Sequence, residues 1–321
     1  MMRNRVRSLM VFCLLAAVVA AGCAAKVESP PGPAATGYPI ELIDQAGNTV
    51  SIGHAPQKIV SLAPSNTEIV YALGLQDRLV AGTTYDDYPE EARSKPKIGG
   101  YYPVDIEKVV ALAPDLVLAT DIHKETVTRL SQLGITTITL APKNLDEVMA
   151  AITLVGRVAG AEDRAERLVA EMRARVKAVT DRTDALAASQ RPVVLYLLWH
   201  DPMMTVGPKV IISELITKAG GSNIASDLAG DYPKMNLEAV IIANPGVIIA
   251  DDGHGDAAAL SFNFARSEPR LGAVAARLNG RVYPIDSDLV TIPGPRIVAG
   301  LEEMARIIHP EIFGQGPANG S

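Results

Sequence analysis

Apolar and polar residues alternate along residues 38–52, YPIELIDQAGNTVSI, with Gly47-Asn48 near the centre. A two-residue period broken by such a pair predicts a β-hairpin. From Lys58 the pattern changes to short β-branched runs, KIVSLAP, RLVAGTT, DLVLATD and TTITLAP. Between them lie stretches with apolar residues every three or four positions, such as SNTEIVYALGL, DIEKVVALAP and NLDEVMAAITLVGRVAG. Nearly continuous apolar strands alternating with helices predict a parallel sheet covered on both faces. After Pro192 the same grammar restarts with PVVLYLLWH, a helix through VIISELITKAGG, GVIIADD, RVYPID and a last helix from Gly294 to about His309. Between these halves, residues 161–189 place Leu168, Met172, Val176 and Val179 on one face, with charges elsewhere and neither Gly nor Pro. That pattern predicts one helix of some 28 residues, about 40 Å long. Its charges, among them Glu162, Arg164, Glu166, Glu171 and Arg175, read as a solvated face with i,i+4 pairs.

The halves are related. Residues 99–121, GGYYPVDIEKVVALAPDLVLATD, overlay residues 230–252, GDYPKMNLEAVIIANPGVIIADD, at a constant offset that sets Tyr101 on Tyr232, Glu107 on Glu238, Pro114 on Pro245 and Asp121 on Asp252. One helix-Pro-strand unit per half predicts an α/β fold of two Rossmann-like lobes with mainly parallel sheets, joined by one long α-helix, with equivalent residues on opposite walls of a cleft. The expected organisation is a leader at 1–22, a modified cysteine and tether at 23–37, a first lobe at 38–158, the connecting helix at 159–190, a second lobe at 191–313 and a tail at 314–321.

Composition narrows the function. The chain has 321 residues and a formal charge of -6, with 48% hydrophobic and 4% aromatic residues. Removing the leader's Arg3, Arg5 and Arg7 takes the charge to about -9, and an acidic surface argues against nucleic acid as a partner. The uncharged run at 9–21 is shorter than the roughly 20 residues of a spanning helix, so the start reads as a cleaved secretory signal. Ala20-Ala21-Gly22-Cys23 resembles a bacterial lipobox, with Ala20 where Leu is usual. Cys23 is therefore the expected lipidation site, and an ordinary signal peptide cut nearby is the alternative. Cys13 is the one other cysteine, so a mature chain forms no internal disulfide. The Pro- and Gly-rich stretch after Cys23 reads as a tether.

KIVSLAPSNTEIVYALG, TTYDDYPEEA, DIEKVVALAPDLVLA, AGGSNIA and PGPRIVAGLEEMARIIHPE together resemble the helical-backbone class of periplasmic binding proteins of ABC importers for vitamin B12, ferric siderophores and haem. TTYDDYP with a following Tyr-bearing loop looks closest to the cobalamin-binding branch. The resemblance runs from about Tyr38 to Glu311. It implies small lobe closure, a monomer and no catalytic cofactor. It further implies a corrinoid or an iron chelate as transported ligand, a permease dimer with its ATPase as partner, and a place on the extracytoplasmic face of the cell membrane.

Ligands of open α/β sheets bind beyond the carboxyl ends of strands. Tyr85, Tyr101, Tyr232 and Trp199 fall there, as do Ser65, Asn66 and Asp288. Aromatic rings with polar tips suit a wide macrocycle edged by amides or carboxylates. The resemblance assigns Tyr85, Tyr101 and Tyr232 to ligand contact; packing of a surface loop is the alternative for Tyr101 and Tyr232, together with Tyr102. Ser65-Asn66-Thr67-Glu68 reads first as a helix N-cap. Where relatives often carry an arginine before the PGPR-like segment, this chain has Thr291-Ile292-Pro293, which leans toward a neutral, amide-edged ligand; compensation by Arg296 or Lys234 is the alternative. His123, His200 and His254 follow strands and are candidate metal ligands, although none has ligand spacing within one element. Glu107 and Glu238 sit one turn into the repeated helix; capping is one reading, and the resemblance implies docking against arginines of the two permease subunits.

An enzyme, such as a chelatase or metallohydrolase, is the opposing class. G-x-S-x-G, H-E-x-x-H, a P-loop and G-x-G-x-x-G are all absent from the sequence. A lipid signal and tether suit a receptor held beside its importer.

Overall fold

The computed structural model describes residues 37–253 and 259–314. The hairpin forms as the alternation predicts, with β1 (Ile40–Ile43) antiparallel to β2 (Thr49–Ile52) and Gly47 at φ 85 in the turn. Buried Asp44 accepts from the backbone N–H of Ala46 and Asn48 and of distant Thr139, which ties the hairpin to the first sheet.

The first lobe then runs β3 (Ile59–Ser61), α1 (Pro64–Ala72), β4 (Leu79–Ala81), α2 (Ile106–Ala111), β5 (Leu116–Ala119), α3 (Lys124–Gln132), β6 (Thr137–Thr139) and α4 (Leu145–Ala159). After α5 (Glu162–Thr183), the second lobe begins with β7 (Val193–Leu197), the small hairpin β8 (Trp199–His200) and β9 (Met203–Met204), α6 (Ile211–Lys218) and β10 (Ser222–Asn223). It continues with α7 (Leu237–Ala243), β11 (Val247–Asp251), α8 (Leu260–Ser267), α9 (Ala275–Leu278), β12 (Val282–Ile285), α10 (Ser287–Thr291), α11 (Ile297–Ile308) and α12 (Pro310–Phe313).

The two main sheets have the same topology, β4-β3-β5-β6 and β10-β7-β11-β12, all parallel. β5 and β11 are buried throughout, as strands covered on both faces must be. The repeat extends to the backbone. Ala113 and Asn244, matched by the overlay, take φ 47 and 46, a left-handed conformation rare outside glycine, and each precedes the matched proline.

Two boundaries differ from expectation. α1 starts at Pro64 with Ala63 as its N-cap, so Ser65 lies inside the first turn instead of capping it. Proline suits that first position because its fixed φ is helical and it has no N–H to leave unpaired. α5 has 22 residues and stops at Thr183, about 33 Å at the usual rise. Tertiary contacts end it. Thr183 donates through Oγ1 to Lys218 O at 2.7 Å, and Arg191 Nη2 takes the Thr183 carbonyl at 2.7 Å. Ala165, Val169, Met172 and Val179 are buried along the helix, and one apolar core continues from Ile59 and Leu116 through Met172 to Val194 and Ile249.

Candidate functional site

At the carboxyl ends of the first sheet's strands, the chain builds one wall of a cavity of about 620 Å³. Ala63, Pro64 and Ser65 come from the start of α1, Thr84, Tyr85 and Asp87 from the turn after β4, and Tyr101 and Tyr102 from the loop before α2. The second lobe closes it with Asp288, Thr291, Ile292 and Pro293. A cavity of about 600 Å³ adjoins it at Thr291 and Pro293, with Pro142 and Lys143 from the first lobe and Leu198, Lys209, Asp231 and Tyr232 from the second. The two make one cleft between the lobes.

Buried polar groups aim the tyrosines. Asp86 is 3% exposed and accepts from Thr67 Oγ1 at 2.6 Å, Thr83 Oγ1 at 2.6 Å and Thr83 N at 3.0 Å. Burial pushes its carboxyl above the usual range, against the opposing pull of these bonds and of Lys97. Gly82 makes the arrangement possible, since a side-chain carbon there would stand 1.9 Å from Asp86 Oδ2. The locked turn leaves its neighbour Tyr85 projecting, 63% exposed.

Tyr101 rests edge-on against His123, with ring centroids 5.2 Å apart, and its hydroxyl meets Thr120 Oγ1 at 3.2 Å. His123 is fully buried. The Thr120 N–H donates to His123 Nδ1 at 3.0 Å, which leaves Nε2 to carry the proton and donate to Tyr101 O at 2.8 Å. Burial lowers its pKa, in keeping with a neutral ring. Both nitrogens are consumed, so His123 is a prop under Tyr101 and not a metal ligand. Across the cleft Tyr232 is 51% exposed; partial burial and the Asp231 carboxylate push its phenol up, and the fields of Lys143 and Tyr101 also reach it. Lys143 pairs with Asp121 on the first-lobe side.

The structure thus brings Ser65, Tyr85, Tyr101, Tyr232 and Asp288 to the cleft and leaves Asn66, Trp199, His123 and His200 off its lining. Asn66 is 1% exposed and donates through Nδ2 to Ala119 O at 3.2 Å, because a helix starting at Pro64 turns that position into the core. Trp199 donates its indole N–H to Asp201 O at 2.7 Å and packs on His200, 5.0 Å between centroids. Neither Trp199 nor His200 is among the residues lining the two cavities; His200 lies between Trp199 and Phe264. His254 and Cys23 lie outside the described residues. Tyr102, read from the sequence only as a loop-packing residue, lines the cleft, as do Asp87, Lys143 and Lys209, which carry no motif; Tyr102 and Asp87 adjoin expected contacts, and that adjacency is the available signal. Among the described residues no group of three or more His, Cys, Asp or Glu is arranged to hold a metal ion, and no helix is long and apolar enough to cross a membrane.

Glu107 and Glu238 occupy the same place on α2 and α7. Each is exposed in the first turn, and the capping is done by others: Asp105 accepts from Lys108 N and Asn236 from Ala239 N. Neither glutamate has an ion pair or side-chain hydrogen bond among the described residues.

The sequence pattern of the family described as "Periplasmic binding protein" matches residues 59–289. An ABC transporter substrate-binding lipoprotein of Bacillus subtilis, YvrC, is 36% identical over 94% of this chain and 96% of its own length. The crystal structure of the periplasmic vitamin B12 binding protein BtuF of Vibrio cholerae superposes with a TM-score of 0.67 at 27% identity, covering 79% of this chain and 96% of that one. The periplasmic haem-binding protein RhuT from Roseiflexus sp. RS-1 gives a TM-score of 0.70 at 27% identity, over 79% of this chain and 98% of that one.

Proposed function

Since this chain belongs to the periplasmic binding protein family, we propose that it captures a corrinoid of the vitamin B12 type in the inter-lobe cleft and delivers it to an ABC importer. Substrate binding for ABC transport is the coarse function; the corrinoid is the finer reading. The observation that carries it is the cleft's lining. Tyr85, Tyr101, Tyr102 and Tyr232 come from both lobes, and neither arginine nor histidine stands among the lining residues described. Tyrosine faces stack on a wide ring while their hydroxyls reach its amide edge. Asp87, Asp288 and Asp231 would oppose the carboxylates of a siderophore or of haem, and one of the two lysines, Lys143, is already paired with Asp121. The vitamin B12 binding relative supports the same choice.

Haem is the second reading, favoured by the likeness to RhuT. Calorimetric titration with cyanocobalamin, haemin and a ferric siderophore separates the two. Saturable one-to-one binding of cyanocobalamin, with the iron chelates weaker, is expected. Saturable binding of an iron chelate alone overturns the corrinoid reading.

Within this proposal residues 1–22 are a cleaved leader, Cys23 carries the lipid, residues 23–37 are the tether, and the monomer works at the extracytoplasmic face of the cell membrane. Glu107 and Glu238, matched and unpaired on the two lobes, are the contacts to a two-fold permease. Docking by charge gives register and steering more than affinity.

A further inference from the structure

Behind the cleft the two lobes meet through charge. Glu68 on α1 and Arg296 at the head of α11 are 228 residues apart, and Arg296 Nε and Nη2 both donate to one oxygen, Glu68 Oε1, at 3.0 and 2.7 Å. The other oxygen, Oε2, is buried without a hydrogen-bond partner. A side-chain carbon on Gly294 would stand 3.0 Å from it, so the second lobe's backbone passes close against this carboxylate. The side chains of Arg296 and Glu68 are 17% and 3% exposed. Arg296 also lies over the Tyr88 ring, 4.0 Å from its centroid, and its Nη2 is 3.8 Å from Asp288 Oδ2 on the cleft lining. One guanidinium therefore touches both lobes and a cleft residue.

We propose that Arg296 is a positioning residue of the cleft, clasped by Glu68 from the opposite lobe, and that proton uptake on the free Glu68 oxygen favours the closed arrangement of the lobes. The clasp needs no ligand, and it rests on the cleft being the binding site only for its consequence in transport.

The charges around the clasp fix the sign. Burial pushes the Glu68 carboxyl from its ordinary 4.5 up to about 7, against the hydrogen bonds and charge of Arg296, while Asp288 on α10 and Asp87 after β4 add to the rise. Asp286 adds its field to Arg296. On the far side, a cavity of about 880 Å³ carries Glu91, Lys95, Glu171 and Arg175. Of these, Lys95 is held by Gln76 O and Arg175 by Glu302; Tyr71 also lines this cavity, and its buried hydroxyl has no partner. Lobe separation would hydrate Glu68 and return it toward its ordinary value. The closed form therefore binds the proton more tightly, and it gains on the open form as pH falls from about 7 toward about 4.5, by up to tenfold per pH unit. Above about 7 the carboxylate is ionised in both forms and the gain is lost.

Pulsed electron paramagnetic resonance on ligand-free protein tests this. Spin labels are placed at Glu125→Cys and Asn279→Cys, exposed positions on the two lobes, in a full chain carrying Cys13→Ser and Cys23→Ser. The share of long separations is expected to fall as pH drops through about 7, by up to tenfold per unit. Glu68→Gln, which mimics the protonated acid, is expected to show the acid-form distance at every pH. A parent protein without pH dependence, or an unchanged profile in Glu68→Gln, would each overturn the proposal. No ligand enters, so a wrong corrinoid assignment leaves this result untouched.

Discussion

Tyr101 owes its pose in the cleft to one buried neighbour: the imidazole of His123 holds its ring edge-on and its carbonyl by a hydrogen bond. Removing the ring takes away a stacking face without disturbing the sheet. Tyr101→Ala is expected to weaken cyanocobalamin binding at least tenfold, about 1.4 kcal/mol, in calorimetry. An unchanged affinity would take Tyr101 off the ligand. At this scale the sequence was legible in part. Tyr85, Tyr101, Tyr232 and Asp288 could be assigned to the cleft because the chain after a strand's carboxyl end faces it. Asn66, Trp199 and His123 share that placement, yet their side-chain directions are set by individual hydrogen-bond partners that no residue pattern announces, Asp201 O for the Trp199 indole among them. Ala119 holds Asn66, and Tyr101 and Thr120 take both nitrogens of His123.

Helices α4 and α5 pack closely where Gly156 faces Ala165, and a side-chain carbon on Gly156 would stand 2.4 Å from Ala165 Cβ. Alanine gains about 1 kcal/mol of helix propensity over glycine, but overpacking costs typically 1–3 kcal/mol. Gly156→Ala is expected to lower stability by about 1 kcal/mol in urea unfolding, with recovery when Ala165→Gly is added. Equal or higher stability in the single variant would mean the helices separate freely. The alternation of strands and helices was readable because the two periods differ so sharply. The end of α5 was not. No Gly or Pro marks Thr183, and the helix stops where Lys218 and Arg191, both in the second lobe's neighbourhood, take up its last groups.

The duplication visible at the level of the whole molecule accounts for two sheets of identical strand order, matched left-handed residues at 113 and 244, and tyrosines from both lobes in one cleft. The clasp of Glu68 with Arg296 was beyond the sequence, since nothing local links residues 228 apart. Matched helices also present Glu107 and Glu238 at the surface. Reversing both, Glu107→Lys with Glu238→Lys, is expected to abolish ligand uptake by cells while calorimetric affinity stays within about twofold; full uptake would remove the docking role. The central claim is that one ligand is held by both lobes at once. Hydrogen exchange with and without saturating cyanocobalamin tests it most directly, with protection expected together at residues 84–102, 231–232 and 288–293. Protection confined to one lobe, or falling away from these segments, would contradict the account.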